Sequence, residues 1–346
     1  MKRLTVSTVA GLAVAGAALA GQPGSAVAQD EVTELRWATS SVGSAGHRAK
    51  INLMAVLNRE LDGYNITVMP TAGAIATIRG YAMGQFDGYY GASIAFWELS
   101  EDSGRFQGFR DEMERAPVQS FWAYTMEVGL AVRARDHDSY DGWRDLSGSP
   151  VFTGPAPWDV RAQLERAMNT LEVGHEYREL DLGLAGASLD DGTIDAFIAY
   201  TGAETAPAPW ITEAEMSVEM AILNPSEEEA EILREAGMEL VSIDPGNFQT
   251  DVGVDEAHFV PFFYGFHVGL DVPAEDVYRM LTVIEEHADE LTSADAIFAQ
   301  LADDMPEIQR RGVESSADTV EIHPGLAQYM RDRDVWDSAW DDRIAE

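Results

Sequence analysis

The stretch LRWATSSVGSAGHRAKINLMAVLNREL, Leu35 to Leu61, reads as a strand, a turn of small residues and a helix. Leu35-Arg36-Trp37-Ala38 forms the strand. From His47 to Leu61 the apolar residues Ile51, Met54, Val56 and Leu57 follow a helical pattern. The unit recurs at once. A strand over 65–69 is stopped by Pro70, and a helix follows over 75–83. A third strand covers 86–90, and Ser93 to Leu99 starts another helix. Such βαβαβα alternation predicts an open parallel sheet with helices on its faces. In sheets of this kind ligands bind beyond the carboxyl ends of the strands.

Residues 101–114 are polar and acidic and read as a surface excursion. Glu127 to Ala134 is a strand whose crowded apolar residues suit a crossing between domains. A second alternation follows: strand 150–153, helix 159–171, strand 177–180, helix 185–191, strand 194–200. Helix is expected over 204–215, strand over 218–223, helix over 225–236 with Pro225 in its first turn, and strand over 240–243. Phe259 to Val268 is extended and aromatic. Pro273 to Leu291 keeps an i, i+4, i+7 rhythm through Val277, Leu281, Ile284, Ala288 and Leu291. The tail is helical from Ala294 to Ala302 and again after Pro324. Two α/β halves, a hinge and a C-terminal helical tail make the expected fold two-lobed. The expected boundaries are 29–128 and 255–346 for lobe I and 129–254 for lobe II.

Ahead of this lie Lys2 and Arg3, an Ala/Gly-rich apolar run from Leu4 to Ala20, and Ala26-Val27-Ala28. That order reads as a secretory signal peptide over residues 1–28, cleaved after Ala28, so the chain is expected in the periplasm. There is no cysteine, which excludes thiolate metal sites and thiol catalysis. The seven histidines show neither H-x-x-x-H nor H-E-x-x-H spacing, so neither metal nor cofactor is expected. The formal charge of −37 makes nucleic acid a poor partner. Without the leader, Lys50 is the only lysine. An acidic, lysine-poor surface fits a saline, halophilic exterior, where screening relieves self-repulsion. No G-x-S-x-G is present, and spacing alone gives no nucleophile–base pair.

Two loops stand where ligands would bind. Ser40-Ser41-Val42-Gly43-Ser44-Ala45-Gly46 joins the first strand to the first helix; it is either an anion cradle or a plain βα turn. Gly154-Pro155-Ala156-Pro157-Trp158-Asp159-Val160-Arg161 repeats the arrangement in the second half. Asp159 is placed to cap its own helix. Trp158 faces either a cleft or a core.

The order of the motifs resembles that of the TAXI family of solute-binding proteins, which serve TRAP transporters, over essentially the whole chain after the leader. The family's Ser-x-Gly-Gly-Thr-Tyr-Tyr turn is similar to Ser41-Val42-Gly43-Ser44-Ala45-Gly46-His47. Its Thr-Gly-Gly-Ser turn falls on Thr71-Ala72-Gly73-Ala74, and its Asn-Leu-Arg on Thr77-Ile78-Arg79. Its Gly-Glu-Ala-Asp falls on Gly84-Gln85-Phe86-Asp87, and its Gln-Ser-Asp on Ala92-Ser93-Ile94. Its Gly-Pro-Pro-Gly-Ser-Gly-Thr-Arg falls on Gly154 to Arg161. Asp191-Gly192-Thr193-Ile194-Asp195-Ala196-Phe197, Val272-Pro273-Ala274-Glu275-Asp276-Val277-Tyr278 and His323-Pro324-Gly325 to Tyr329 complete the series.

The resemblance implies a non-catalytic protein whose two lobes close on one solute and pass it to TRAP transporter membrane subunits. The family's solutes are small carboxylates such as glutamate or 2-oxoglutarate. The departures fall in the ligand loops, where hydroxyls are lost at Ala45, Trp158 and Val160. Ligand contacts are therefore expected from Ser41, Gly43, Ser44, Thr71, Ser93, Trp97, Trp158, Asp159, Arg161, Tyr200, Thr201 and Glu204. The expected solute is a monocarboxylate with an apolar body, met by Arg161 or Arg79. The other option is a zwitterion whose cationic end faces Trp158, Trp97 and Glu204. An exported sensing module and a hydrolase using the same cleft are the alternative functions.

Overall fold

The computed structural model describes residues 32–42 and 44–346; the expected leader and Gly43 lie outside them. Strands are β1 (Thr33–Thr39), β2 (Tyr64–Pro70), β3 (Gly88–Ala92), β4 (Val118–Gln119), β5 (Trp122–Arg133), β6 (Pro150–Phe152), β7 (Glu176–Tyr177), β8 (Ala196–Gly202), β9 (Ala206–Pro207), β10 (Met220–Leu223), β11 (Val241–Ile243), β12 (Ala257–Val268) and β13 (Glu321–Ile322). Helices are α1 (Ala45–Glu60), α2 (Ala74–Ala82), α3 (Ser93–Ser100), α4 (Asp159–Thr170), α5 (Ala185–Asp190), α6 (Pro209–Glu215), α7 (Glu227–Glu235), α8 (Ala274–Glu286), α9 (Ala288–Ala294), α10 (Ala299–Glu314) and α11 (Pro324–Asp332).

The sheet runs β2-β1-β3-β12-β5-β8-β6-β7, with β10 beside β5. β1 pairs parallel with β2 and β3, and β6 pairs parallel with β8, so each half keeps the parallel core that α/β alternation predicts. β5 and β12 are the long strands that join the halves. They pair antiparallel from Val260↔Val128 to Gly265↔Trp122. The end of β12 pairs with β3, while its start pairs with β11. The later part of β5 pairs with β8 and β10. Both strands are almost wholly buried, which is why their sequences lack alternation. The expected switch at 128–129 falls within β5, and that at 254–255 just before β12.

Elements and sequence pattern part company in three places. Helix was expected over 204–215, but Ala203 and Glu204 turn at φ +52° and +60°, and Ala206–Pro207 pairs with β8. Pro207 and Pro209 push the residues before them out of the helical region, so α6 starts at Pro209. The single helix expected over 273–291 divides at His287 into α8 and α9. α10 runs well past the expected 302, kinked where Asp304 leaves helical geometry just ahead of Pro306.

Lys50 is wholly buried, its Nζ 3.0 Å from the centroid of the Trp37 ring, and burial drives its pKa well below the usual lysine range. The cationic side chains left for the described surface are arginine and histidine.

Where β5 meets β8, Glu127 is fully buried and its Oε2 accepts from Thr201 Oγ1 at 2.5 Å and from the Glu204 N–H at 3.1 Å. Burial pushes its carboxyl up to about 7. Between the usual carboxylate range and pH 7 the folded state therefore holds a proton that the unfolded chain has released. Stability falls as pH rises through that window. In Glu127→Gln the fall should shrink by roughly 1–3 kcal/mol between pH 5 and 8, read by urea unfolding at the two pH values. Equal pH dependence in both proteins would exclude Glu127 as its source.

Candidate functional site

The cleft lies where the carboxyl ends of β1, β2 and β6 turn into α1, α2 and α4. It is a cavity of ≈ 750 Å³ with contributions from both lobes. Lobe I brings Ser40, Ser41 and Ser44 ahead of α1 and Gly73 to Ala76 at the start of α2. Ser44 caps α1 by accepting the His47 N–H at 3.2 Å, and its hydroxyl meets that of Ser40 at 2.5 Å. Lobe II brings Pro157 to Val160 at the start of α4. Gly154 turns this loop at φ +103°, a conformation that favours glycine. Helix starts expose unpaired N–H groups and favour negative charge.

The floor is aromatic. Tyr90 stacks on Tyr264 with ring centroids 4.7 Å apart, and the Tyr90 hydroxyl meets that of Tyr124. Burial raises the pKa of all three phenols, so they stay neutral donors. Tyr200, Met126 and the part-exposed Trp158 extend the wall.

Two arginines reach the cleft. Arg105 is a bridge. Its Nε donates to Glu98 Oε2 at 2.7 Å and its Nη1 to Asp159 Oδ1 at 2.6 Å. Tyr264 donates to the other Asp159 oxygen at 2.6 Å. Burial works against the Arg105 charge, but Asp159 and Glu98 outweigh it and lift its pKa. Burial pushes Glu98 upward, with Arg105 opposing. Glu98 and Arg105 come before β5 and Asp159 follows β6, so the bridge joins the two halves of the chain. Arg79 differs. Its Nη2 donates to the Arg105 carbonyl at 2.7 Å, and its guanidinium lies 4.4 Å from the Phe109 ring centroid. Among the described residues no carboxylate comes within ion-pair distance of it.

Of the residues expected from sequence, Ser41, Ser44, Trp158, Asp159 and Tyr200 line the cleft. Asp159 does not cap α4. Trp158 is the N-cap without a side-chain bond, and Asp159 is the first helical residue, its carboxylate drawn across to Arg105 and Tyr264. The remaining positions lie elsewhere. Thr71 closes a turn, accepting the Gly73 N–H at 3.2 Å beside the lining Ala72. Ser93 accepts the Phe263 N–H at 3.1 Å behind the cleft. Thr201 is spent on Glu127, and Glu204 pairs with Arg311 at 2.8 Å. Trp97 and Arg161 line a separate cavity. Gly43 is outside the described residues. Sequence reasoning passed over Arg105, Tyr90, Tyr124 and Tyr264 as cleft residues. An arginine flanked by glycine and phenylalanine within the acidic excursion was the available sign for Arg105.

No family model matches the chain, and no curated protein does. Solved structures do. The periplasmic aliphatic sulphonate binding protein SsuA from Escherichia coli is 12% identical over 90% of this chain and 92% of its own, with a TM-score of 0.46. The probable amino-acid ABC transporter extracellular-binding protein ytmK from Bacillus subtilis is 10% identical over 79% of this chain and 99% of its own, with a TM-score of 0.42. XAC2383 from Xanthomonas citri is 12% identical over 87% and 99%, with a TM-score of 0.47. Among the described residues no helix is long and apolar enough to cross a membrane.

Proposed function

We propose that this chain is an exported, non-catalytic solute-binding protein that captures a small organic anion between its lobes. The observation that carries the reading is the imbalance of charge in the cleft. Asp159 is met by Arg105 and by the Tyr264 hydroxyl, whereas Arg79 has no carboxylate of its own. A carboxylate would complete that charge, with the N–H groups at the start of α1, α2 and α4 beside it. Tyr90, Tyr264 and Trp158 would cover an apolar body.

The zwitterion is the weaker option, because Trp97 and Glu204 lie outside the cleft lining and only Trp158 faces it. Glutamate and 2-oxoglutarate fit less well, since one unpaired arginine matches one negative charge. Delivery to TRAP transporter membrane subunits is the finer proposal. It rests on the order of motifs along the sequence.

Binding raises thermal stability by mass action. A panel of monocarboxylates, their amides and related amines is therefore expected to raise the melting temperature only with the acids. Equal shifts from an acid and its amide would overturn the charge argument. Delivery is tested by uptake of the bound solute in cells that carry the TRAP subunits with and without this chain. Uptake that persists without the chain would overturn it.

A further inference from the structure

A second cavity, of ≈ 740 Å³, lies beside the cleft, and Arg105 is the residue common to both linings. Its walls come from the two lobes. Ile94, Trp97 and Glu98 stand at i, i+3 and i+4 on α3 of lobe I. Arg161, Glu165, Arg166, Asn169 and Thr170 form one face of α4 in lobe II. Met238 closes an apolar end.

The charges do not balance. Glu98 is held by Arg105. Glu165 accepts from Thr153 Oγ1 at 2.5 Å and lies 3.3 Å from His175 and 3.4 Å from Arg161. Arg161 also covers the Tyr177 ring at 3.7 Å. That leaves Arg166. Its guanidinium lies 4.6 Å from the Trp97 ring centroid, across the lobe boundary, and among the described residues no carboxylate is within ion-pair distance. Burial lowers its pKa, and the field of Glu101 opposes this only in part. Arg166 is part-buried, and its charge meets the Trp97 ring but no carboxylate. A cation without a carboxylate partner that lines a cavity is a place for an anion.

We propose that this crevice binds a second small organic monoanion, whose carboxylate or sulfonate pairs with Arg166 and whose short alkyl body lies toward the apolar end at Met238. The guanidinium stays on the Trp97 ring and offers its edge to the anion. The site is distinct from the interlobe cleft and shares no ligand-bearing cation with it. Because α3 and α4 belong to different lobes, an anion held here also favours their closed arrangement.

The probe is sodium hexanoate, titrated by calorimetry at low chloride into the full chain, with hexanamide as the uncharged control. Hexanoate is expected to bind and hexanamide not. Arg166→Gln should weaken hexanoate by about tenfold or more, while Arg79→Gln leaves this site within about twofold. If the cleft also takes hexanoate, two sites appear in the wild type, and each variant removes a different one. Asn169→Asp is the second variant. It places a carboxylate one helical turn from Arg166, and should raise the melting temperature while weakening hexanoate at this site alone. The proposal is overturned by no binding to the wild type, by equal binding of hexanamide, or by hexanoate binding that Arg166→Gln and Asn169→Asp leave intact. Loss of all binding in Arg79→Gln alone would also overturn it, since hexanoate would then sit in the cleft. Failure of the cleft reading shows separately, as Arg79→Gln without effect on the cleft solute.

Discussion

Replacing Arg105 by methionine should lower the unfolding free energy by about 3–5 kcal/mol and loosen the lobes. Arg105 is placed between two enclosed carboxylates, with side chains only 17% exposed for Arg105, 9% for Glu98 and 5% for Asp159. Taking the cation away leaves both anions without it in a setting that water reaches poorly. Breaking a buried pair costs far more than never having built one, because the surviving charge keeps its desolvation penalty. The Tyr264 hydroxyl stays on Asp159 and offsets part of the loss. Urea unfolding reads the stability, and small-angle scattering reads the separation of the lobes. In the triple variant Glu98→Gln, Arg105→Met, Asp159→Asn no charge is left stranded. Much of the stability should then return while the scattering profile stays open. A single variant as stable and as compact as the wild type would show that the bridge does not hold the lobes.

Replacing Arg79 by glutamine should weaken solute binding by roughly 2–3 kcal/mol, about thirty- to a hundred-and-fiftyfold, with little change in stability. The asymmetry follows from its partners. Arg79 gives up one hydrogen bond to a carbonyl and its contact with Phe106 and Phe109, but no ion pair. Its charge is thus available to a ligand rather than to the fold. Calorimetry with the solute recovered from the wild-type protein reads the affinity, and the melting temperature of the empty protein reads the stability. An affinity within twofold of wild type would remove Arg79 from the site. A large fall in melting temperature would assign it to the scaffold instead.

The architecture was legible because its signals are local. The period of α1, the Pro70 stop after β2 and the small-residue turns each mark an element within a few residues. The site was legible only in part. Ser41, Ser44 and Trp158 sit in turns that a βα unit points at its ligand, so chain order finds them. The partners of Asp159 are not local: Arg105 is 54 residues away and Tyr264 is 105. With those partners out of view, a helix-start aspartate reads as its own cap. Arg79 and Arg161 stand equal as carboxylate partners for a related reason. Nothing in their surrounding helices shows that Arg79 meets no carboxylate while Arg161 meets Glu165. Thr201 lies near the end of β8 and Glu204 just past it, where ligand residues often sit, but the buried Glu127 and the remote Arg311 claim them. Each of these outcomes depends on which distant charge arrives first, and spacing does not record that.

The most direct test of the central claim is native mass spectrometry of the protein, gently purified in high salt, alongside Arg79→Gln prepared in the same way. The wild type is expected to carry a small organic solute that is released as a monoanion with an apolar body, and Arg79→Gln is expected to have lost it. A released solute that is neutral or cationic, or one that Arg79→Gln retains at equal occupancy, would contradict the account.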